Sequence, residues 1–231
     1  MKGYKKMTKK IIEIRAAEGG DDSKLFVKDL AQSYVRMAQR LGWTTRLIGE
    51  YQGELHLEVQ GTDLSGLENE SGGHRIQRVP PTERKGRVHT STVTVAIVDA
   101  ESPASQQTIP NSDLHIEWYS GTGAGGQHRN KTQNSCRITH IPTGTVATAQ
   151  TRSRQNSLNL AMADIQQRVD KLVKTSYNSS IASDRRQQVG SGMRGDKIRT
   201  YRFQDDVVKD HVTDSSASVK KVLAGNFDLL W

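Results

Sequence analysis

Gly123-Ala124-Gly125-Gly126-Gln127 constrains this chain more than any other stretch, because it sets one amide side chain on a backbone made almost entirely of glycine. Three glycines in five residues remove Cβ from three positions, so the segment can reach φ > 0 and approach another backbone closely. Before it, Leu114-His115-Ile116-Glu117-Trp118 alternates apolar and polar in the manner of a strand, and after it Ile138-Thr139-His140-Ile141 reads as the returning strand. His128, Arg129, Lys131 and Arg137 ring the loop with basic groups. A glycine loop carried between strands and surrounded by cations suits delivery of a small polar group into an RNA cavity. An ordinary hairpin, or a phosphate cradle, is the competing reading. A phosphate cradle opens a helix, whereas this loop runs into polar residues and a strand.

Charge points to the same class of partner. The chain has 231 residues and a formal net charge of +8, and a basic excess favours polyanions because neutralised phosphates release counterions. Cys136 is the single cysteine, which excludes an internal disulfide and fits a reducing compartment. Its place in an alternating segment makes it a structural strand residue. Five lysines occupy residues 1–10, yet no apolar stretch follows, so this is not a signal peptide, and it is too short for a transit peptide. No run of eighteen apolar residues exists, so no membrane span is expected. The cytoplasm is the expected location.

Residues 1–10 read as a basic tail. A strand is expected over 10–15, broken by Gly19-Gly20. Asp21, Asp22 and Ser23 then open a helix whose core stripe is Phe26, Leu30, Tyr34, Met37 and Leu41, with acidic groups placed to favour and cap its N-terminus, and Gly42 ends it. Strands at 44–48, 55–59 and 90–98 would give a helix packed on a mixed or antiparallel sheet. Residues 102–111 are polar, contain Pro103 and Pro110, and read as a linker. Beyond the glycine loop, 146–149 reads as a third strand, and Leu158, Ala161, Met162, Ile165, Val169 and Leu172 form one helical face for core packing. Apolar residues thin out over 178–197, which by composition is a loop or hinge. Apolar structure resumes over 199–211 and 219–231.

A second stretch carries its own chemistry: Ser71-Gly72-Gly73-His74-Arg75-Ile76-Gln77-Arg78-Val79-Pro80-Pro81-Thr82, followed after four residues by Arg87-Val88-His89-Thr90-Ser91. Pro80-Pro81 stiffens the backbone and restricts the residue before each ring, which holds the Thr82 hydroxyl still. His89 can stack on an exposed base and Gln77 can hydrogen-bond one on two atoms. A basic hairpin in which His89 is merely a strand residue is the plainer reading of the same residues.

The run from Gly121 to Thr132, ending in Arg137-Ile138-Thr139-His140-Ile141-Pro142-Thr143-Gly144, resembles the class I peptide chain release factors, and the resemblance covers residues 10–231. It implies a short form without the family's N-terminal helical domain, which would make dependence on a recycling GTPase doubtful. The implied fold is α+β in two modules: a helix-on-sheet codon-recognition domain over 11–104, completed by the C-terminal segment 201–231, and a small β-sheet-plus-helix Gly-Gly-Gln domain over 105–180. Residues 181–200 match a switch loop, notably Gly190-Ser191-Gly192-Met193-Arg194-Gly195-Asp196-Lys197. Pro80-Pro81-Thr82 has the Pro-x-Thr form of factors reading UAA and UAG, whereas UGA readers carry Ser-Pro-Phe. By the resemblance Thr82 reads the second base, His89 stacks between the second and third, and Gln77 and Thr90 contact the third. Gly19 and Asp22 match residues facing the first uridine, where relatives carry glutamate in place of Asp22.

The implied reaction is hydrolysis of the ester joining a finished peptide to tRNA. Gly125 and Gly126 let the Gln127 N–H approach the developing oxyanion, and the Gln127 side chain restricts access to water. No protein nucleophile, metal cluster or acid/base pair appears, no cofactor is expected, and ribosomal RNA supplies the rest, so the chain is not an independent enzyme. The resemblance further implies N5-methylation of Gln127 by a glutamine methyltransferase, a monomer, and the ribosome, a stop codon and peptidyl-tRNA as partners, with no membrane. A compact body of this length has a radius of gyration of roughly 17 Å, too small to span decoding and hydrolysis, so opening is expected at 102–111 and 178–197. The nearest rival is a codon-independent ribosome-rescue hydrolase, which would lack the Pro-x-Thr element; a pure RNA-binding module is the rival of another class.

Overall fold

The computed structural model describes residues 7–100, 108–122, 126 and 131–231. Along the chain lie β1 (Thr8–Ala16), α1 (Asp21–Leu41), β2 (Thr44–Tyr51), β3 (Glu54–Gly61), β4 (Gly72–Arg78), β5 (His89–Asp99), β6 (Leu114–Tyr119), β7 (Ser135–His140), β8 (Thr145–Ala149), α2 (Arg154–Val189), β9 (Arg199–Arg202), β10 (Val207–Asp210), β11 (Ser216–Ala217) and a short α3 (Val219–Leu223). They divide into two compact units, Met1–Glu101 with Ile181–Trp231, and Ser102–Ser180.

The first unit is built on an eight-stranded sheet ordered β11-β10-β9-β4-β5-β1-β3-β2. Its pairs are antiparallel except β4 with β9, so the sheet is mixed. Helix α1 lays Phe26, Leu30, Tyr34 and Met37, all fully buried, against Ile12, Ile14, Leu57, Val59, Val93 and Val95. Each such side chain stabilises by about 1.5–3 kcal/mol relative to exposure. Gly42, at φ 72°, closes the helix by returning its N–H to the carbonyls of Ala38 and Gln39. The strip β9–β10–β11 with α3 and the terminal Phe227, Leu230 and Trp231 joins this same core, so the C-terminal segment completes the sheet that the N-terminal strands begin.

A buried polar cluster ties that completion together. Arg199, wholly buried, donates to the carboxylates of Glu70 and Asp210, and Glu70 also accepts from Tyr34 (3.1 Å) and from the Trp231 indole (2.6 Å). His74 sits among them, bonded to Tyr201 Oη and the Glu70 carbonyl. Burial first, then the Arg199 charge, lowers its pKa to about 4.

In the second unit β6, β7 and β8 form an antiparallel sheet, and α2 packs on it through Ala161, Ile165 and Val169 against Cys136, Ile138 and Ala147. Leu158 and Met162 flank that contact, while Leu172, expected on the same face, is exposed. Cys136 is fully buried and burial pushes its thiol pKa up, as befits a structural strand residue. Of the expected linker, residues 102–107 lie outside the described residues, and Ile109 is buried in this unit's core, its N–H donating to Gln166.

The loop expected after this helical face is shorter than its composition implies. The segment read as a loop from 178 onward is helical as far as Val189, and only 190–198 is irregular. The serines, asparagine and arginines that signalled a loop sit on a solvated helix that needs no apolar stripe. Its last turns are held by side chains: Arg185 donates to Glu13, and the Gln188 amide bonds both N–H and C=O of Ile97 (2.7 and 2.8 Å). Strand β4 begins opposite Val95, so those Ile97 groups lie beyond its end and Gln188 takes the place of a strand.

Candidate functional site

Strands β4 and β5 pair from Gly72↔Val95 to Arg78↔His89, which puts Gln77 directly opposite Thr90. Beyond the last pair the chain turns at residues 80–83, closed by the Glu83 N–H donating to the Pro80 carbonyl (3.0 Å). Pro81 occupies the second position of that turn, where its fixed φ is pre-set, and Thr82 the third. Pro80 is buried while Pro81 and Thr82 are exposed. The threonine hydroxyl therefore stands at the tip of a rigid turn, with an amide and a second threonine paired beneath it.

Glu83, which the sequence did not single out, organises the rest of the loop. Its carboxylate accepts the Lys85 N–H (2.7 Å), the Arg87 guanidinium (3.0 Å) and a ring nitrogen of His89 (2.8 Å). Those contacts, the Lys85 N–H first, hold its carboxyl below the usual carboxylate range. His89 is thus exposed but tethered by one edge, leaving its ring faces available for stacking. The signal in the sequence was an acid followed at two, four and six residues by Lys85, Arg87 and His89.

Asp22 behaves differently from the expectation that an acidic first turn caps α1. It is buried, and its two oxygens accept Arg78 Nε (2.7 Å) and Ser91 Oγ (2.9 Å). The helix N-cap is Gly20, which supplies no side-chain cap. Gly19 is exposed at φ 129°, and a Cβ there would lie 2.4 Å from Ser91 Oγ, so only glycine fits the approach. Arg78 also bonds Asp29 (2.9 Å) and lies over the rings of Phe26 and Phe203. Arg78 precedes the turn and Ser91 follows Thr90, so one carboxylate locks the start of α1 to both strands that carry the tip. Gly19, Asp22, Gln77, Pro80, Pro81, Thr82, His89 and Thr90 consequently gather at one end of the first unit's sheet.

The glycine loop springs from the β6–β7 hairpin, whose last pair is Tyr119↔Ser135. Gly125, Gln127, His128 and Arg129 lie outside the described residues. Gly126 is exposed with nothing within 4 Å of where a Cβ would sit, and Lys131 is exposed. Arg137 is exposed on β7, over the Tyr119 ring and 3.9 Å from Glu117. His140 is buried and bonds Thr143 Oγ1 (2.7 Å), a turn contact rather than a base. The stem is fixed by two amides that sequence reasoning passed over: Gln150 bonds Tyr119 Oη and the Thr122 N–H, and Asn134 donates to the Arg152 carbonyl.

Comparison with known proteins bears on both ends of the chain. Residues 2–95 match the PCRF domain family and residues 103–212 the RF-1 domain family. Peptide chain release factor 1 of Dictyoglomus thermophilum is 43% identical over 228 residues, covering 94% of this chain and 62% of the relative. That of Acetivibrio thermocellus is 41% identical over 228 residues, covering 94% of this chain and 63% of its own. The chain thus spans a little over three fifths of the length of these relatives. Among solved structures, RF2 of Thermus thermophilus superposes with a TM-score of 0.55 at 27% identity, covering 97% of this chain and 66% of that one. The mixed α/β architecture agrees with that neighbour. No described helix is long and apolar enough to cross a membrane.

Proposed function

Because the chain belongs to the class I peptide chain release factor family, we propose that it is a translation termination factor that reads UAA and UAG in the ribosomal A site and triggers peptidyl-tRNA hydrolysis in the peptidyl transferase centre. The observation that carries this reading is the turn holding Thr82 exposed above the Gln77–Thr90 pair. Three groups with donor and acceptor capacity face outward from rigid backbone, which is what reading a single-stranded base edge requires. The uncapped N-terminus of α1 adds backbone donors beside them, suited to the O4 acceptor of a first uridine. With both its oxygens engaged, Asp22 serves by fixing that helix end rather than by reaching the base.

For the hydrolytic step, the Gln127 N–H would donate to the developing oxyanion and its side chain would restrict access to water. Ribosomal RNA would complete the site, so the chain works with the ribosome rather than as an independent enzyme. N5-methylation of Gln127 by a glutamine methyltransferase is part of this reading.

The test is peptide release from ribosomes programmed with UAA, with UAG and with a message truncated at the P site. Release at both stop codons and not on the truncated message is expected. Release on the truncated message alone would make the chain a rescue hydrolase instead. Gln127→Ala should keep UAA-dependent ribosome binding and lose release.

A further inference from the structure

The face of the eight-stranded sheet turned away from α1 carries basic groups that the codon-reading tip leaves unused. Alternation fixes which residues they are. His74, Ile76 and Arg78 of β4 are buried on the core side, so Arg75 and Gln77 project from the other. Beside them in register stand Thr92 and Thr90 of β5, and Thr200 and Arg202 of β9. Lys197 leads into β9. His211 follows β10, its N–H bonded to the Ile198 carbonyl (2.7 Å) and its ring to Thr200 Oγ1 (2.8 Å).

Arg75, Arg202, Lys197 and His211 form no ion pair among the described residues, and the nearby carboxylates are committed elsewhere. Asp210 serves Arg199 and the N–H groups of Val212 and Thr213, Asp196 serves Ser191, and Asp214 serves Lys209. The cations press on one another. Burial and then Arg202 lower the Arg75 pKa. Burial, then Lys197 and Arg75, with Lys209 adding and Asp210 opposing, lower that of His211. Two buried polar atoms here lack a partner among the described residues, Arg75 Nε and Thr92 Oγ1, and they belong to residues opposite each other in the β4–β5 register. Gathering like charges without a counter-ion costs free energy that an anion would recover.

We propose that this face binds the phosphodiester backbone of single-stranded RNA, with Arg75 and Arg202 as the principal phosphate contacts and Lys197 and His211 at the rim. Two planar guanidinium forks suit phosphate oxygens. Gln77 and Thr90 share this face one register step along, so a strand whose base they contact would run its backbone over the arginines. The proposal rests on the termination reading only for which RNA is bound; the phosphate chemistry stands apart from it.

The test measures binding of the full chain to a short single-stranded pyrimidine RNA without stop triplets, as a function of salt. Arg75→Gln/Arg202→Gln should weaken binding about tenfold and flatten the slope of log Kd against log salt by about 1.4, at roughly 0.7 per lost phosphate contact. Lys171→Gln/Lys174→Gln, which removes the same charge from α2, should change the slope by less than half of that. Equal effects of the two double variants would overturn the proposal, since the attraction would then be net charge alone. Polyglutamate competing as well as RNA would overturn it in favour of an acidic protein partner. Thermal unfolding of each variant confirms that the fold is retained. No ribosome or stop codon enters the measurement, so a chain that fails to release peptide at UAA can still bear this proposal out, and the reverse.

Discussion

Thr82 and Glu83 are adjacent residues with opposite tasks. Thr82 is exposed and its hydroxyl has no partner among the described residues, which leaves it available for the proposed codon base, whereas Glu83 engages its carboxylate with Lys85, Arg87 and His89. Thr82→Ala should lower kcat/KM for release at UAA about tenfold, the worth of one hydrogen bond at roughly 1.4 kcal/mol, and Thr82→Ser should restore most of it. An unaltered rate for the alanine variant would remove Thr82 from decoding. Glu83→Gln keeps an acceptor for the Lys85 N–H but loses the charge that gathers Arg87 and His89. Because those groups are exposed, its unfolding temperature should move little, while UAA release falls by about the same factor as in a His89→Ala variant. A large loss of stability with unaffected release would mean that Glu83 serves the fold and not the tip.

At the scale of elements, the decisive contact is the one between the start of α1 and the β4–β5 pair. Asp22→Asn would leave the buried Arg78 guanidinium short of a counter-charge, a change that costs about 3 kcal/mol or more for a pair this sequestered, or roughly 6–12 °C in unfolding temperature. The same variant should lose selectivity for uridine at the first codon position, since the helix end is no longer pinned to the tip; wild-type selectivity would detach the helix from decoding. Much of this element was legible beforehand. The stripe from Phe26 to Met37, the glycine stop at 42 and the strands around it follow from periodicity that burial then rewards. The role of Asp22 was not legible, because its partners Arg78 and Ser91 stand 56 and 69 residues away and nothing local distinguishes a capping acid from a clamped one. The extension of α2 to Val189 was hidden for the opposite reason. Its last turns are mostly polar and are held by Arg185 and Gln188 reaching strands far upstream.

Taken as a whole, the molecule completes its first sheet with strands from both ends of the chain, and the Glu70–Arg199–Asp210 cluster with His74 lies where they meet. His74 is held neutral, its pKa lowered from 6.5 to about 4. The unfolded chain therefore binds a proton that the folded one refuses, and the stability this group contributes is present above pH 6.5 and lost as pH falls towards 4. The full difference is about 3 kcal/mol. Unfolding free energies measured across that window should fall more steeply for the native chain than for His74→Gln, and parallel curves would mean that His74 does not titrate as placed. The glycine loop, by contrast, was read from sequence almost entirely through Gly125-Gly126-Gln127 and its flanking strands, and the structure adds the amides Gln150 and Asn134 that brace the strand ends on either side of it.

The central claim is that this chain couples a stop triplet to ester hydrolysis, and the single-turnover rate of peptide release at UAA, divided by the rate at UGA, tests it most directly. Rapid release at UAA and a ratio of about a hundred or more are predicted, from two hydrogen bonds at roughly 1.4 kcal/mol each. A ratio near one, or no release at UAA, would contradict the account.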